Sequence, residues 1–150
     1  MPARSIQTPF GWISLTEQDG AIIALNWDES GSDETPLLAE AEKQLAAYFS
    51  HQLKDFDLPL RPGGGEFQQS VNAAIRTIPY GQTREYGEIA KDLDAMPQPV
   101  GNACGGNTIA IIIPCHRVVG ASGLGGFSAP GGVETKIALL KHEGAYSLLI

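Results

Sequence analysis

Arg61-Pro62-Gly63-Gly64-Gly65 is the segment that most limits the fold, because neither a helix nor a central strand runs through a proline followed by three glycines. A chain broken there must build on either side of the break, and 150 residues suit two small units or one larger one. The expected units are residues 1–62 and 63–150. The two sides differ in pattern. Residues 5–28 carry apolar and aromatic runs interrupted at Pro9-Phe10-Gly11 and at Asp19-Gly20. That predicts two or three strands, with Asp-Gly as a hairpin signal. After a polar loop at 30–36, Leu37, Leu38, Ala41, Leu45, Tyr48 and Phe49 recur at helical spacing. Asp57-Leu58-Pro59-Leu60 reads as a short edge strand.

Beyond the break the pattern is helical. Phe67, Val71, Ala74, Ile75 and Ile78 predict an amphipathic helix stopped by Pro79-Tyr80-Gly81. Thr83 is expected to cap the next helix, with Tyr86 at its third position and Ile89, Ala90 and Leu93 inward. A third helix, over about 98–106, holds Gly101, Gly105 and Gly106. A glycine inside a helix costs about 1 kcal/mol against alanine. Their presence suggests that close approach of another surface matters more here than helix stability. Helix, turn and helix of these lengths suit a helix-turn-helix module. Ile109 to Ile113 is expected to be a buried extended segment. The loop 120–132 is rich in Gly, Ser and Ala, and a last helix spans about 133–142, stopping at Gly144.

Charge is distributed unevenly. The net value is −7. Residues 1–60 hold three basic and ten acidic side chains, whereas residues 61–150 hold seven of each. The second part is therefore free to meet a phosphate backbone if its cations share a face. An apolar fraction of 43% supports a core and excludes a disordered chain. No apolar run approaches the roughly 20 residues of a membrane span, and MPARSIQTPFGW lacks a secretory signal's apolar stretch. A cytoplasmic protein is expected. Cys104 and Cys115 do not form a disulfide framework. With no CxxC or HxxxH spacing and with His51, His116 and His142 scattered, no metal site is expected.

The most informative residue is Cys115, directly after Ile-Ile-Ile-Pro and before His116-Arg117. A thiolate is the nucleophile, and a free thiol titrates near pH ~8.5, so reactivity needs a neighbouring base or cation. Spacing alone leaves open a buried structural cysteine. Adjacent side chains of an extended segment point apart, so His116 would act through a bridging water.

Pro114-Cys115-His116-Arg117-Val118-Val119-Gly120 resembles the active-site signature of the O6-alkylguanine-DNA alkyltransferases, or methylated-DNA–protein-cysteine methyltransferases. The likeness extends over about residues 66–145. It takes in Tyr80-Gly81, Tyr86-Gly87-Glu88-Ile89-Ala90, Val100-Gly101, Gly106-Asn107, Gly126-Phe127-Ser128, and Lys136 through His142-Glu143-Gly144. The resemblance implies an α+β protein. A small ribonuclease H-like sheet-and-helix domain would precede a mainly helical, winged helix-turn-helix DNA-binding domain. It implies irreversible, stoichiometric transfer of an alkyl group from O6-alkylguanine in double-stranded DNA to Cys115 by a monomer that needs no cofactor. O4-alkylthymine is a further candidate substrate.

The resemblance also implies roles. Glu143 orients His116, which draws the Cys115 proton through water. Tyr86 protonates the leaving guanine, and Asn107 braces the active-site turn. Gly126, Phe127, Ser128 and the Val118 carbonyl hold the base. Gln98, Gly101, Asn102, Gly105, Arg84 and Arg117 form the DNA-facing set, with Arg117 also suited to a structural pair. The base must leave the duplex stack, and a glycine-rich helix suits a minor groove. Three departures stand out. Gln98 occupies the position where the family usually has an arginine, Gly105 is neutral where a basic residue is common, and Phe127 replaces a tyrosine. Rival readings are a lesion binder without transfer, a cysteine hydrolase or redox thiol protein, and a regulatory helix-turn-helix protein. The first lacks the cysteine, the second needs a CxxC pair or a histidine in direct reach, and the third leaves Pro-Cys-His-Arg unexplained.

Overall fold

The structure, a computed structural model, describes residues 1–146. The chain divides between Gly63 and Gly64 into two compact units. Gly64 has a φ of 109°, a left-handed conformation that favours glycine.

In the first unit, β1 (Ala3–Thr8), β2 (Gly11–Gln18) and β3 (Ala21–Asn26) form an antiparallel sheet in sequence order. Asp19 and Gly20 both take positive φ, as a two-residue primed hairpin turn requires. The register pairs Ile6 with Ile13 and Leu15 with Leu25. These four side chains are buried, and α1 (Pro36–Phe49) adds Leu38, Ala41, Leu45 and Tyr48 from one helical stripe. Thr35 caps that helix by accepting the Leu38 N–H at 3.0 Å, and Pro36 supplies the first turn. The edge strand expected at 57–60 shrinks to a single bridge between Leu60 and Ile22. Pro59 and Pro62 have no N–H to continue a ladder.

The second unit contains α2 (Glu66–Arg76), β4 (Arg84–Glu85), α3 (Tyr86–Asp92), α4 (Pro97–Gly105), β5 (Val118–Val119) and α5 (Val133–His142). Helices α3 and α4 pack on each other, as do α2 and α4. The two short strands pair in parallel, so the segment before α3 lies beside the segment after Cys115. Several local expectations are corrected. Phe67 is exposed, and α2 instead buries Val71, Asn72 and Ile75. Helix α3 is capped by Glu85 rather than Thr83, and Glu88 accepts the Glu85 N–H at 2.8 Å. Tyr86 is therefore its first residue.

Residues 109–113 are buried but not extended. They fold into a tight turn in which the Ile113 N–H reaches Ile109 O at 2.9 Å. Ile111 has a φ of 71°, costly for a β-branched residue. The turn survives because Asn107 clamps it. The Asn107 amide donates to Ile113 O at 2.8 Å, and its carbonyl accepts from Ile109 N at 3.0 Å. Among the described residues no helix is long and apolar enough to cross a membrane.

Candidate active site

Cys115 opens a single 3-10 turn, Cys115–Arg117, rather than lying in an extended segment. Its N–H is tied to Ile113 O at 2.8 Å, so the clamped turn upstream sets the position of the sulfur. Cys115 is 6% exposed and lies at the edge of a cavity of about 630 Å³. Tyr86 and the α4 residues Gln98, Gly101, Asn102, Cys104 and Gly105 line one part of this cavity. Gly126, Phe127 and Ser128 line another. Helix α4 can border it closely because it carries so little side-chain bulk. A Cβ added at Gly101 would meet the Tyr86 ring at 3.9 Å, and one at Gly105 would meet Ser128 Oγ at 3.2 Å.

Away from the cavity lies a buried ionic cluster. His116 is fully buried, and its Nε2 pairs with Glu143 Oε2 at 2.8 Å. Arg117 donates from Nε to Glu143 Oε1 at 2.9 Å and from Nη2 to Oε2 at 3.0 Å, while its Nη1 reaches Ile78 O at 2.7 Å. Burial opposes ionisation of Glu143. The hydrogen bonds and charges of His116 and Arg117 outweigh it and hold the carboxyl down at about 2. Burial dominates at His116 and lowers its pKa despite Glu143. A neutral imidazole that gives its Nε2 proton to the carboxylate carries a lone pair on Nδ1. That Nδ1 is buried and, among the described residues, has no hydrogen-bond partner.

Burial also pushes the Cys115 thiol up, opposed by a hydrogen bond from Asn107 and by the Lys136 charge. Tyr86 is raised to about 12, first by burial and then by the two cysteines. The resting site therefore holds a neutral thiol, a phenol that keeps its proton, and a neutral histidine backed by a carboxylate.

Among the residues expected to face DNA, Gln98, Asn102 and Gly105 are exposed and Gly101 is partly so. Arg84 is apart from this cavity and pairs with Asp92 at 2.8 Å. Arg117 is a correction. It is 5% exposed, and Glu143 and Ile78 take three of its five N–H donors, so its guanidinium is held inside the protein rather than offered to a phosphate. Asn107, His116, Glu143 and Val118 support the cavity without lining it.

Two residues carry no site role in the sequence reading. Cys104 lines the same cavity as Cys115. Lys136, quoted only within a motif, is 0% exposed and has its Nζ among carbonyls. Its position three and four residues before Leu139 and Leu140, on the apolar face of α5, was the available signal. Among the described residues no group of three or more His, Cys, Asp or Glu could hold a metal ion.

Comparison with known proteins bears on the whole chain. Residues 66–145 match the family described as 6-O-methylguanine DNA methyltransferase, DNA binding domain. Residues 2–62 match its ribonuclease-like domain. A methylated-DNA–protein-cysteine methyltransferase of Methanosarcina acetivorans is 48% identical over 151 residues, covering 93% of this chain and 96% of its own length. One from Mycolicibacterium paratuberculosis is 42% identical over 155 residues, covering 96% and 93%. A crystal structure of Mycobacterium tuberculosis OGT in complex with DNA superposes with a TM-score of 0.87 at 41% identity, covering 97% of this chain and 94% of that one. Cys115 beside a cavity, the buried His116–Glu143 pair behind it and matches along both halves lead to one conclusion: the chain belongs to the 6-O-methylguanine DNA methyltransferase family.

Proposed function

We propose that this protein repairs alkylated DNA by moving the alkyl group from the O6 atom of guanine to Cys115, once per molecule. The observation that carries this reading is a cysteine bordering a cavity roomy enough for a base, with the next residue, His116, buried against Glu143. The imidazole accepts the thiol proton through a water at Nδ1, and Glu143 stabilises the imidazolium that forms. The sulfur–carbon bond forms as the carbon–O6 bond breaks, and Tyr86 gives its proton to a ring nitrogen of the departing guanine. The thioether has no leaving group that water displaces readily, so the protein is consumed. The balance of bonds requires no cofactor.

Asn107 acts by holding the turn before Cys115, and Arg117 by holding Glu143. The carbonyls of Cys115 and Val118, with Gly126, Phe127 and Ser128, surround the everted base. Gln98, Gly101, Asn102 and Gly105 face the minor groove of double-stranded DNA, with Gln98 filling the gap left by the flipped nucleotide. The working form is a monomer in the cytoplasm, built of a domain at 1–62 and a DNA-binding domain at 63–150.

Incubation with an oligonucleotide carrying O6-methylguanine, followed by intact-mass measurement, tests the reaction. One methyl mass on Cys115, absent from Cys115→Ala, is expected. A protein that binds the lesion and gains no mass is a lesion binder, and the reading is then wrong. The same assay with O4-alkylthymine and benzylguanine defines the substrate range.

A further inference from the structure

We infer that Lys136 is the positioning residue of the base pocket: its buried ammonium latches the loop 120–132 over the cavity by gathering that loop's carbonyls, and fixes Tyr86 and the Val118 carbonyl from the same point. The inference deepens the proposed transfer reaction and rests on it for the kinetic readout alone.

The geometry is unusual for a lysine. Lys136 is 0% exposed, and among the described residues it pairs with no carboxylate. Its Nζ instead donates to Val118 O at 2.7 Å, Leu124 O at 2.5 Å and Gly126 O at 3.2 Å, and approaches Tyr86 Oη at 3.3 Å. An ammonium has three protons, so these four acceptors leave none unsatisfied. Hydrogen bonds from a cation are about twice as strong as neutral ones, and burial keeps water from competing.

The acceptors are well placed for a latch. Val118 lies in β5, just before the loop, and Leu124 and Gly126 lie within it. Phe127 and Ser128, which line the cavity, follow directly. Between the two captured loop carbonyls, Gly125 has a φ of 75°, and a Cβ there would meet Tyr86 Oη at 2.7 Å. The loop thus presses on the tyrosine whose hydroxyl the lysine also holds. Releasing Lys136 would free the loop, the tyrosine and the Val118 carbonyl together.

The charge is conditional. Burial lowers Lys136 to about 8, partly opposed by the negative forms of Cys115 and Cys104. Tyr86 and His116 are the other titratable groups that feel it, and Tyr86 keeps its proton to about 12. The ammonium is present below about pH 8 and is lost above it. Charging a lysine whose folded pKa is depressed costs global stability, so the protein becomes more stable as pH rises from about 8 toward 10.5. The latch weakens over the same range. A lysine that served only to stabilise the fold would move both quantities in one direction.

Amide hydrogen exchange of residues 121–128 should be measured for the wild type, Lys136→Met and Lys136→Arg, alongside urea unfolding and saturation kinetics of transfer from an O6-methylguanine oligonucleotide. In Lys136→Met, loop exchange should rise about tenfold, the loss expected for a charge-assisted hydrogen bond. The saturation constant should rise about as much, and the loop response should exceed whatever loss of global stability accompanies it. Lys136→Arg should restore part of the protection. In the wild type, loop protection corrected for intrinsic rates should fall as pH passes about 8. Unchanged loop exchange in a folded Lys136→Met overturns the proposal. If that variant does not fold, wild-type loop protection that stays constant from about pH 7 to about pH 9.5 overturns it. A loop that responds in a protein that transfers no methyl group would sink the transfer reaction and leave the latch standing. Transfer without a loop response would do the reverse.

Discussion

The two units solve the problem of an interior in opposite ways. The first packs one face of a three-stranded sheet against one stripe of α1, and its large buried side chains are Ile, Leu and Tyr. The second buries His116, Arg117, Lys136 and Glu143, and holds a β-branched residue at positive φ. Apolar burial stabilises at about 25 cal/mol per Å² and needs no particular partner. Buried charges offset their desolvation only while every partner stays in place. The comparison teaches that the first unit should tolerate repacking, whereas the second depends on single groups.

The largest contrast should come from Glu143→Ala. Leaving His116 and Arg117 without their carboxylate is expected to cost about 3–5 kcal/mol in urea unfolding. The transfer rate should fall about 10²–10⁴-fold. A loss under about 0.5 kcal/mol, typical of a surface substitution, would erase the contrast. The pH dependence sharpens it. Because the folded pKa of Glu143 is depressed from 4.5 to about 2, its contribution is present above about pH 4.5 and is lost as pH falls toward about 2. Glu143→Gln, with nothing to protonate, should show a flatter stability profile in that window.

Leu45→Ala in the first unit is expected to cost about 2–5 kcal/mol through cavity formation. Its cost should not vary between about pH 2 and about pH 5, and the folded fraction should transfer methyl groups at the wild-type rate. A pH-dependent cost would show that the two interiors are not distinct in kind. Asn107→Ala removes both hydrogen bonds that clamp the 109–113 turn. A loss of about 1–3 kcal/mol is expected, together with slower transfer as Cys115 loses its fixed position. Transfer at the wild-type rate would mean that the turn holds itself despite Ile111. The smallest stability change, within about 0.5 kcal/mol, is expected for the exposed Gln98→Arg. DNA affinity should rise and the salt slope steepen by about one charge, read by titration at several salt concentrations. No gain, with folding intact, would remove Gln98 from the DNA-facing set.

The first unit was the easier to read. Alternation in 5–28, the Asp19-Gly20 turn and the Leu38–Ala41–Leu45–Tyr48 stripe are local signals that tertiary structure left in place. Where prolines cannot donate, at 57–60, the expected strand reduced to one bridge. In the second unit the family motif singles out Cys115, Tyr86 and Phe127 and also the supports His116, Glu143 and Asn107, but how those supports join to the rest depends on distant partners. The resemblance assigns Asn107 to bracing the active-site turn, yet five apolar residues at 109–113 read as extended because nothing local reveals which backbone groups Asn107 holds. Arg117 reads both as a DNA-facing cation and as half of a structural pair, and its partner is unnamed until Glu143, 26 residues onward, is brought against it. Thr83 was the better residue type for a cap than Glu85, yet the pairing of Arg84–Glu85 with Val118–Val119 set where α3 begins.

Gly105 has a consequence for anyone wishing to strengthen this protein's grip on DNA. A cation there is the obvious remedy for a neutral helix, but the first carbon of any side chain would press on Ser128 Oγ at 3.2 Å. A side chain at that position and the Ser128 hydroxyl must therefore make room for each other by a few tenths of an ångström, which ties any gain in phosphate affinity to the 126–128 rim. Position 98 is open to solvent and carries no such debt, so improvement by mutation should accumulate at 98 before 105.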